Sequence, residues 1–354
     1  MLPHADTPAR LWSLGRVNLP GPDMSKLPLT FACGLYDRML PLHTGEVQVE
    51  GVDLNFLVDD NPRNIFDRMA AGLEFDVAEF SSSEYVSRFV AGQCPFVAIP
   101  VFASRVFRHS FIFVNRKHVK SPKELEGKRI GVPVYTMTAA IFIRGLLSDE
   151  HGIDFANNEW VEGDINTAKG HGNPTILPTA KKLSISANKS GKSLSRMLED
   201  GELQAIIGTG VPEAFGRNPD IVRLYPDYRS AEIDYYKRTR IFPIMHTVVI
   251  RRDLHEKHAF LASALYHAFE QSKNAALKKM KYRGTLRYML PWMTAELDDI
   301  DEVFGGDPWP YGVEANRPTL SALVRYLEEQ GVIAKAPRID DLFVPLRQIH
   351  PMTH

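Results

Sequence analysis

"SPKELEGKRIGVPVYTMTAAIFIRGLL", residues 121–147, reads as a short helical turn, a strand at 128–134 and a helix from about Met137 to Leu147. A full strand–helix series precedes it, so it restarts a pattern rather than continuing one. Upstream, "LPLTFACGLY" and "VDLNFLV" read as strands, "NPRNIFDRMAAGL" as a helix, "DVAEF" as a strand, "SSSEYVSRFVAG" as a helix and "FVAIPVFA" as a strand. Such alternation implies a mostly parallel sheet covered by helices. In the first helix Ile65, Met69 and Leu73 recur at four-residue steps beside Phe66, giving one apolar face, with Asn61 or Asn64 as its cap. The restart near residue 119 begins a second sheet, which runs on through "SLSRMLEDGELQAIIGTG" and "DIVRLYP". "FPIMHTVVIRRDL" then returns to strand pattern, and helical sequence follows.

A chain of 354 residues is long for one compact domain and comfortable for two lobes, each with its own core. The expected layout is an N-terminal tail (1–26), the first part of lobe I (27–118), lobe II (119–242), the second part of lobe I (243–330) and a C-terminal tail (331–354). Residues 163–192, rich in Gly, Asn, Lys, Ser and Thr, read as a long loop or flap. Two sheets joined by two crossings leave a cleft between lobes, where small ligands bind.

Composition narrows the function. Forty-two basic against 43 acidic side chains leave a net charge of −1, which gives no field suited to nucleic acid or an anionic membrane. No run of about 18 apolar residues predicts a membrane span. Residues 1–24 lack an apolar stretch of a secretory signal, and the two cysteines, Cys33 and Cys94, fit no metal or redox spacing; a cytoplasmic location is expected. Phosphate-loop, dinucleotide, zinc and nucleophile-elbow motifs are missing. His255 and His258 in "HEKH" read as a solvated helix start rather than zinc ligands. Chemistry that needs only an acid, a base and placed charge is favoured, with no cofactor and no metal expected.

"SPKELEGKRIGVP" resembles the crossover segment of type II periplasmic-binding-protein folds. More specific are "GLYDRMLPL", "PVFASRVFRHSFIFV", "GVPVYTMTAAIFIRGLL", "RLYPDYRSAEIDYYKRTRIFPIMHTVVIRRDL" and "DPWPYGVEANRPTL". Together, over about residues 30–325, the chain resembles the 4,5-dihydroxyphthalate decarboxylase family, a cytoplasmic branch of that fold acting on aromatic acids. Two stretches depart from it. "WVEGDINTAKGHGNPTILPTAKKLSISANKS" does not resemble the family's shorter glycine-rich segment, and "GTGVPEAFG" replaces a Ser- and Cys-containing sequence.

The resemblance implies a two-lobed α/β fold with a ligand cleft between two mixed sheets. It also implies an aromatic dicarboxylate as the small-molecule partner, with self-association left open. A solute-binding protein for an anion, or a decarboxylase of a related hydroxybenzoate, are the competing readings. Carboxylates call for arginine, whose planar fork donates two parallel hydrogen bonds; Arg38, Arg105 and Arg108 are the candidates. Each is alternatively a solvated or structurally paired arginine, outward-pointing in the case of Arg108, which alternates with Phe107. Ser81, Ser82 and Ser83, before a helix, offer hydroxyls and opening amides to an anion, with Ser81 or Ser82 alternatively no more than an N-cap. Thr136 or Thr138 repeats the arrangement in the second lobe, and Tyr36, Tyr135 and Gly210 complete the expected substrate contacts. His246, His109 and Arg38 are the expected catalytic groups, with a core histidine the alternative for either imidazole. Glu314 and Asn316 support the site or, with Trp309, Pro310, Tyr311 and Gly312, form a packed turn.

Overall fold

The computed structural model describes residues 26–168 and 176–346, so all but the last residue of the expected N-terminal tail at 1–26 lies outside the described residues. The chain first lays down β1 (Leu27–Cys33), α1 (Leu40–His43), β2 (Val52–Val58), α2 (Pro62–Gly72), β3 (Val77–Ser81), α3 (Ser82–Val90) and β4 (Phe96–Arg105). It continues with β5 (Ile112–Asn115), β6 (Arg129–Val132), α4 (Thr138–His151), β7 (Glu159–Glu162), β8 (Ile185–Ala187), α5 (Leu194–Glu199), β9 (Ala205–Ile207) and β10 (Ile221–Arg223). The last part comprises α6 (Tyr228–Thr239), β11 (Ile244–Arg251), α7 (Arg252–Lys257), α8 (Leu261–Met280), α9 (Met293–Phe304) and α10 (Arg317–Glu329).

Two mixed sheets result, one ordered β2-β1-β3-β11-β4 and the other β10-β5-β9-β6-β7-β8. This is the two-lobed α/β fold, with two mixed sheets flanked by helices, that the resemblance implies. β3 is buried along its whole length and β4 nearly so, as strands covered by helices on both faces must be. α2 starts where expected: the Asn61 side chain accepts from the Arg63 amide at 3.1 Å, and Ile65, Phe66 and Met69 are buried. Gly145 in α4 carries no Cβ because one there would collide with the Tyr326 ring of α10, so the last long helix packs closely on the second lobe.

Three expectations change. β5 pairs with β9 and β10, so the chain crosses to the second sheet between Arg105 and Ile112, ahead of residue 119. The expected loop at 163–192 contains β8, which pairs in parallel with β7; residues 169–175 lie outside the described residues. Residues 331–346 are not a tail: Val332, Ile333 and Leu342 are buried, Phe343 bridges Ala98, and the Val344 amide donates to the Ala98 carbonyl at 3.0 Å. An apolar segment with a free strand edge beside it has more to gain from burial than from solvent.

Candidate active site

β3 and β11 run antiparallel with His246 opposite Ser81 and Val248 opposite Glu79. Side chains two residues apart share a face of a sheet, so this register sets Glu79 diagonally beside His246. His246 Nδ1 lies 2.5 Å from Glu79 Oε1. The same carboxylate accepts from Tyr36 Oη at 2.8 Å, the Gly34 amide at 3.2 Å and Cys33 Sγ at 3.3 Å. Glu79 is fully buried. Burial alone would raise its pKa, but the His246 charge and these donated hydrogen bonds outweigh it and hold the carboxyl below the usual range. The opposite holds for Tyr36, whose hydroxyl burial and the neighbouring Glu79 charge push far up. An ionised carboxylate only accepts, so Nδ1 carries the hydrogen and Nε2 is the ring nitrogen left for a ligand. The imidazole is also held edge-on by the Phe66 ring at 4.9 Å.

His246 opens onto a cavity of about 480 Å³ between the lobes. Tyr36, Arg63, Ser81, Ser104, Arg108 and Met245 line it from one side; Val134, Thr136, Thr138 and Thr209 line it from the other. The hydroxyl groups are divided in their tasks. Ser81 Oγ and Ser83 Oγ lie 3.1 and 2.9 Å from Thr138 Oγ1, and Ser83 Oγ donates to the Thr136 carbonyl at 2.7 Å. These bonds tie the start of α3 to the start of α4 across the two lobes. Thr136 Oγ1, buried on the cavity wall, has no hydrogen-bond partner among the described residues. Ser82 turns away, its hydroxyl buried near Tyr85, Phe102 and Leu342.

The three candidate arginines separate. Arg108 lines the cavity although it is almost completely buried, and among the described residues its sole hydrogen bond runs from Nε to Met245 Sδ at 3.3 Å. Its guanidinium lies over the Phe111 ring at 5.2 Å. Burial lowers its pKa to about 10, and the Glu232 charge opposes the fall, so it remains a cation at neutral pH. Arg108, expected as a substrate contact, thus faces the cavity and not outward. Arg105 instead is a structural residue: Nη1 donates to the Phe242 carbonyl at 3.3 Å, and Nη2 to the Pro310 carbonyl at 2.8 Å and to Asn316 Oδ1. Arg38 lies outside the cavity, on the wall of a separate apolar hollow. Its guanidinium is sandwiched between Tyr36 and Trp309, each ring centroid 4.3 Å away, and it donates to the Ala103 carbonyl and to Asp37.

Other expected site residues also lie elsewhere. His109 is buried with neither ring nitrogen hydrogen-bonded among the described residues, 3.7 Å from Glu150 and 3.9 Å from Glu232, packed against Tyr225 and Tyr235. Tyr135 is in the core of the second lobe under Arg144, whose guanidinium sits 3.7 Å from its ring. Thr209, not Gly210, reaches the cavity. Asn316 holds Arg105 and the Pro310 and Gly312 carbonyls, while Glu314 pairs with Arg317 at the surface; the 309–316 segment is a packed turn. Arg63 and Glu79 escaped the sequence reading. Glu79 had a signal, an acidic residue inside the apolar strand "DVAEFS". Arg63 lines the cavity while its Nη2 donates to Asp67 at 2.6 Å and Glu84 at 3.2 Å, and its Nε is buried without a hydrogen-bond partner among the described residues.

Among the described residues no group of three or more His, Cys, Asp and Glu side chains is arranged to hold a metal ion. No described helix is long and apolar enough to cross a membrane. No family model matches the chain. It is 36% identical over 329 residues to the 4,5-dihydroxyphthalate decarboxylase of Comamonas testosteroni, covering 91% of this chain and 98% of that protein. It is 38% identical over 216 residues to the 4,5-dihydroxyphthalate decarboxylase of Pseudomonas putida, covering 60% of this chain and 83% of that one. Among solved structures, the periplasmic aliphatic sulphonate binding protein of Escherichia coli aligns with a TM-score of 0.48 at 13% identity, over 93% of this chain and 96% of that one.

Proposed function

The chain belongs to the 4,5-dihydroxyphthalate decarboxylase family, and from that premise we propose that it converts 4,5-dihydroxyphthalate to 3,4-dihydroxybenzoate and carbon dioxide, with His246 as its acid. The substrate supplies its own electron sink. The hydroxyl para to the departing carboxylate pushes electron density onto the carbon that bears it. His246 Nε2 gives that carbon a proton; the carbon–carbon bond then breaks, carbon dioxide leaves, and the bond's electron pair restores the aromatic ring. The para hydroxyl ends with the proton it began with. General acid catalysis of this kind contributes about 10² to 10⁴ in rate. Glu79 fixes the tautomer and orientation of the imidazole, as a buried carboxylate does for a catalytic histidine.

Two carboxylates need two sets of donors. The free fork of Arg108 suits the retained carboxylate through paired charge-assisted hydrogen bonds. Thr136 Oγ1 and the starts of α3 and α4 add donors, each helix dipole being worth about 0.3 to 1 kcal/mol to an anion, or ~2 kcal/mol where partly buried. Phe66, Val134 and Met245 give the departing carboxylate an apolar surround that favours neutral carbon dioxide. Cys33 and Cys94 are both free thiols, which suits a cytoplasmic setting. The observation that carries the assignment is the Glu79–His246 pair at 2.5 Å opening on the cavity that holds the unspent Arg108. The test is incubation of the purified protein with a panel of hydroxylated phthalates, followed by chromatography and carbon dioxide detection. Release from 4,5-dihydroxyphthalate is expected; binding with no release would mean a solute-binding protein.

A further inference from the structure

Behind the catalytic cavity lies the second hollow, of about 330 Å³, between α8, α9 and the turn carrying Trp309. This falls within the range of small-molecule sites, about 300 to 1,000 Å³. Its wall is built of rings: Phe107 stacks on Phe242 at 4.5 Å and 20°, and Phe242 meets Phe304 at 5.6 Å and Trp309 at 5.5 Å. Both cations on the wall are already matched. Arg38 bonds Asp37 and the Ala103 carbonyl, and Lys273 bonds Asp307 at 2.5 Å and Glu270 at 3.2 Å. An anion entering here gives up its hydration and finds no unmatched cation, whereas a neutral flat ring gives up little and meets aromatic faces. The occupant that complements this wall is therefore a neutral aromatic molecule.

The hollow and the catalytic cavity share two stretches of wall. Val106 and Arg108 line the cavity, and Phe107 between them lines the hollow. Tyr36 lines the cavity and Arg38 the hollow, stacked ring to guanidinium, with Tyr36 donating to the Glu79 carboxylate that holds His246. Pressure on Phe107, or on Trp309 against Arg38, is thus delivered to the groups expected to hold the substrate and its acid.

We propose that this hollow is a second ligand site, taking a neutral one-ring aromatic molecule, and that its occupancy is coupled to the catalytic cavity through the shared wall. The binding stands on the hollow alone; the coupling rests on the function proposed above.

Toluene is the neutral probe and benzoate its anionic counterpart, both titrated calorimetrically into the full-length protein. Saturable toluene binding at one site is expected, with benzoate far weaker in the presence of excess phthalate to occupy the cavity. Ile300 of α9 lines the hollow and is only partly buried. Ile300→Lys sets a charge in it and should weaken toluene binding about tenfold or more; Met280→Trp, which narrows the hollow with apolar bulk, should do the same. Absence of saturable binding, or binding that survives both substitutions, overturns the proposal. So does a change of sedimentation mass in Ile300→Lys, which would mean that a second copy of the chain covers this face. For the coupling, saturating toluene should change the phthalate dissociation constant about fivefold or more. An unchanged constant defeats the coupling alone, and phthalate that does not bind at all defeats the coupling and the proposed function together.

Discussion

Arg38 and Arg108 lie on opposite sides of one wall and illustrate what separates a structural cation from a binding one. Arg38 stands in an apolar hollow with its charge spent on Asp37, a carbonyl and two ring faces. Arg108 is more deeply buried yet keeps its terminal nitrogens without a hydrogen bond among the described residues. Burial by itself would penalise both; what differs is whether the fold supplies the counter-groups. A buried cation left unmatched costs several kcal/mol, and such a cost persists where a ligand repays it. The same contrast separates the two hollows, one furnished with unmatched polar groups and the other with matched ones.

The largest break in that comparison comes from the acid itself. His246→Asn keeps a hydrogen bond toward Glu79 and removes the proton donor, so carbon dioxide release at saturating substrate should fall about 10² to 10⁴-fold. The Michaelis constant should stay close to that of the parent. A variant retaining full turnover with an unaltered pH profile would remove His246 from the chemistry. Next in size is the contrast between the two arginines of one stretch. Arg108→Gln should raise the Michaelis constant about 10- to 100-fold, the equivalent of a charge-assisted hydrogen bond worth about 1.5 to 3 kcal/mol. Arg105→Met should leave that constant alone and lower the unfolding free energy by about 1 to 3 kcal/mol, because the Asn316 and carbonyl acceptors it leaves are buried. Interchanged outcomes would mean that the guanidinium groups exchange roles in solution.

The Glu79 carboxylate gives a smaller effect with a definite sign. Its folded-state pKa is depressed, so the stability it contributes is complete above the unfolded value, near ~4.3, and is lost as pH falls through the folded one. Glu79→Gln turns an amide toward a ring of donors and should cost about 1 to 3 kcal/mol at neutral pH. The gap between variant and parent in denaturant titrations should close on acidification below the ordinary carboxylate range. A gap that stays constant to the lowest accessible pH would show Glu79 to be neutral in the native state.

Much of this architecture could be read along the chain, because local signals specify local elements. The strand–helix alternation located nearly every element of the first lobe, and "FPIMHTVVIRRDL" announced the strand that carries His246. β8 was hidden, since three residues in a Lys-, Asn- and Ser-rich stretch carry too little pattern. Glu79 was hidden for a different reason: its partner is 167 residues away and becomes one only through the β3–β11 register. Alternation at 106–108 is real, but by itself it does not say which side faces the cleft. Phe107 faces the second hollow, which no local pattern announces, and that sets Arg108 on the cavity side. Arg38 failed because the chain does not stay extended. The Tyr36 carbonyl accepts from Met39 and Leu40, and this turn carries Arg38 away from the side that Tyr36 faces.

The smallest expected effect is therefore the one that best sharpens the comparison. Arg38→Lys keeps a positive charge beside Asp37 but loses the planar fork on the Ala103 carbonyl and the stack between Tyr36 and Trp309. Cation–π contacts are worth about 0.5 to 1 kcal/mol at exposed sites and ~2 kcal/mol when desolvated, so a stability loss of about 1 kcal/mol is expected in thermal or denaturant unfolding. Nothing in its position lets it touch a ligand of the larger cavity, so the Michaelis constant should move by less than about threefold, well under the 1.4 kcal/mol that a tenfold change represents. A tenfold rise would mean that the Tyr36–Arg38 stack opens when substrate arrives and that the guanidinium swings through the wall, in which case the difference between Arg38 and Arg108 would be one of state rather than of place.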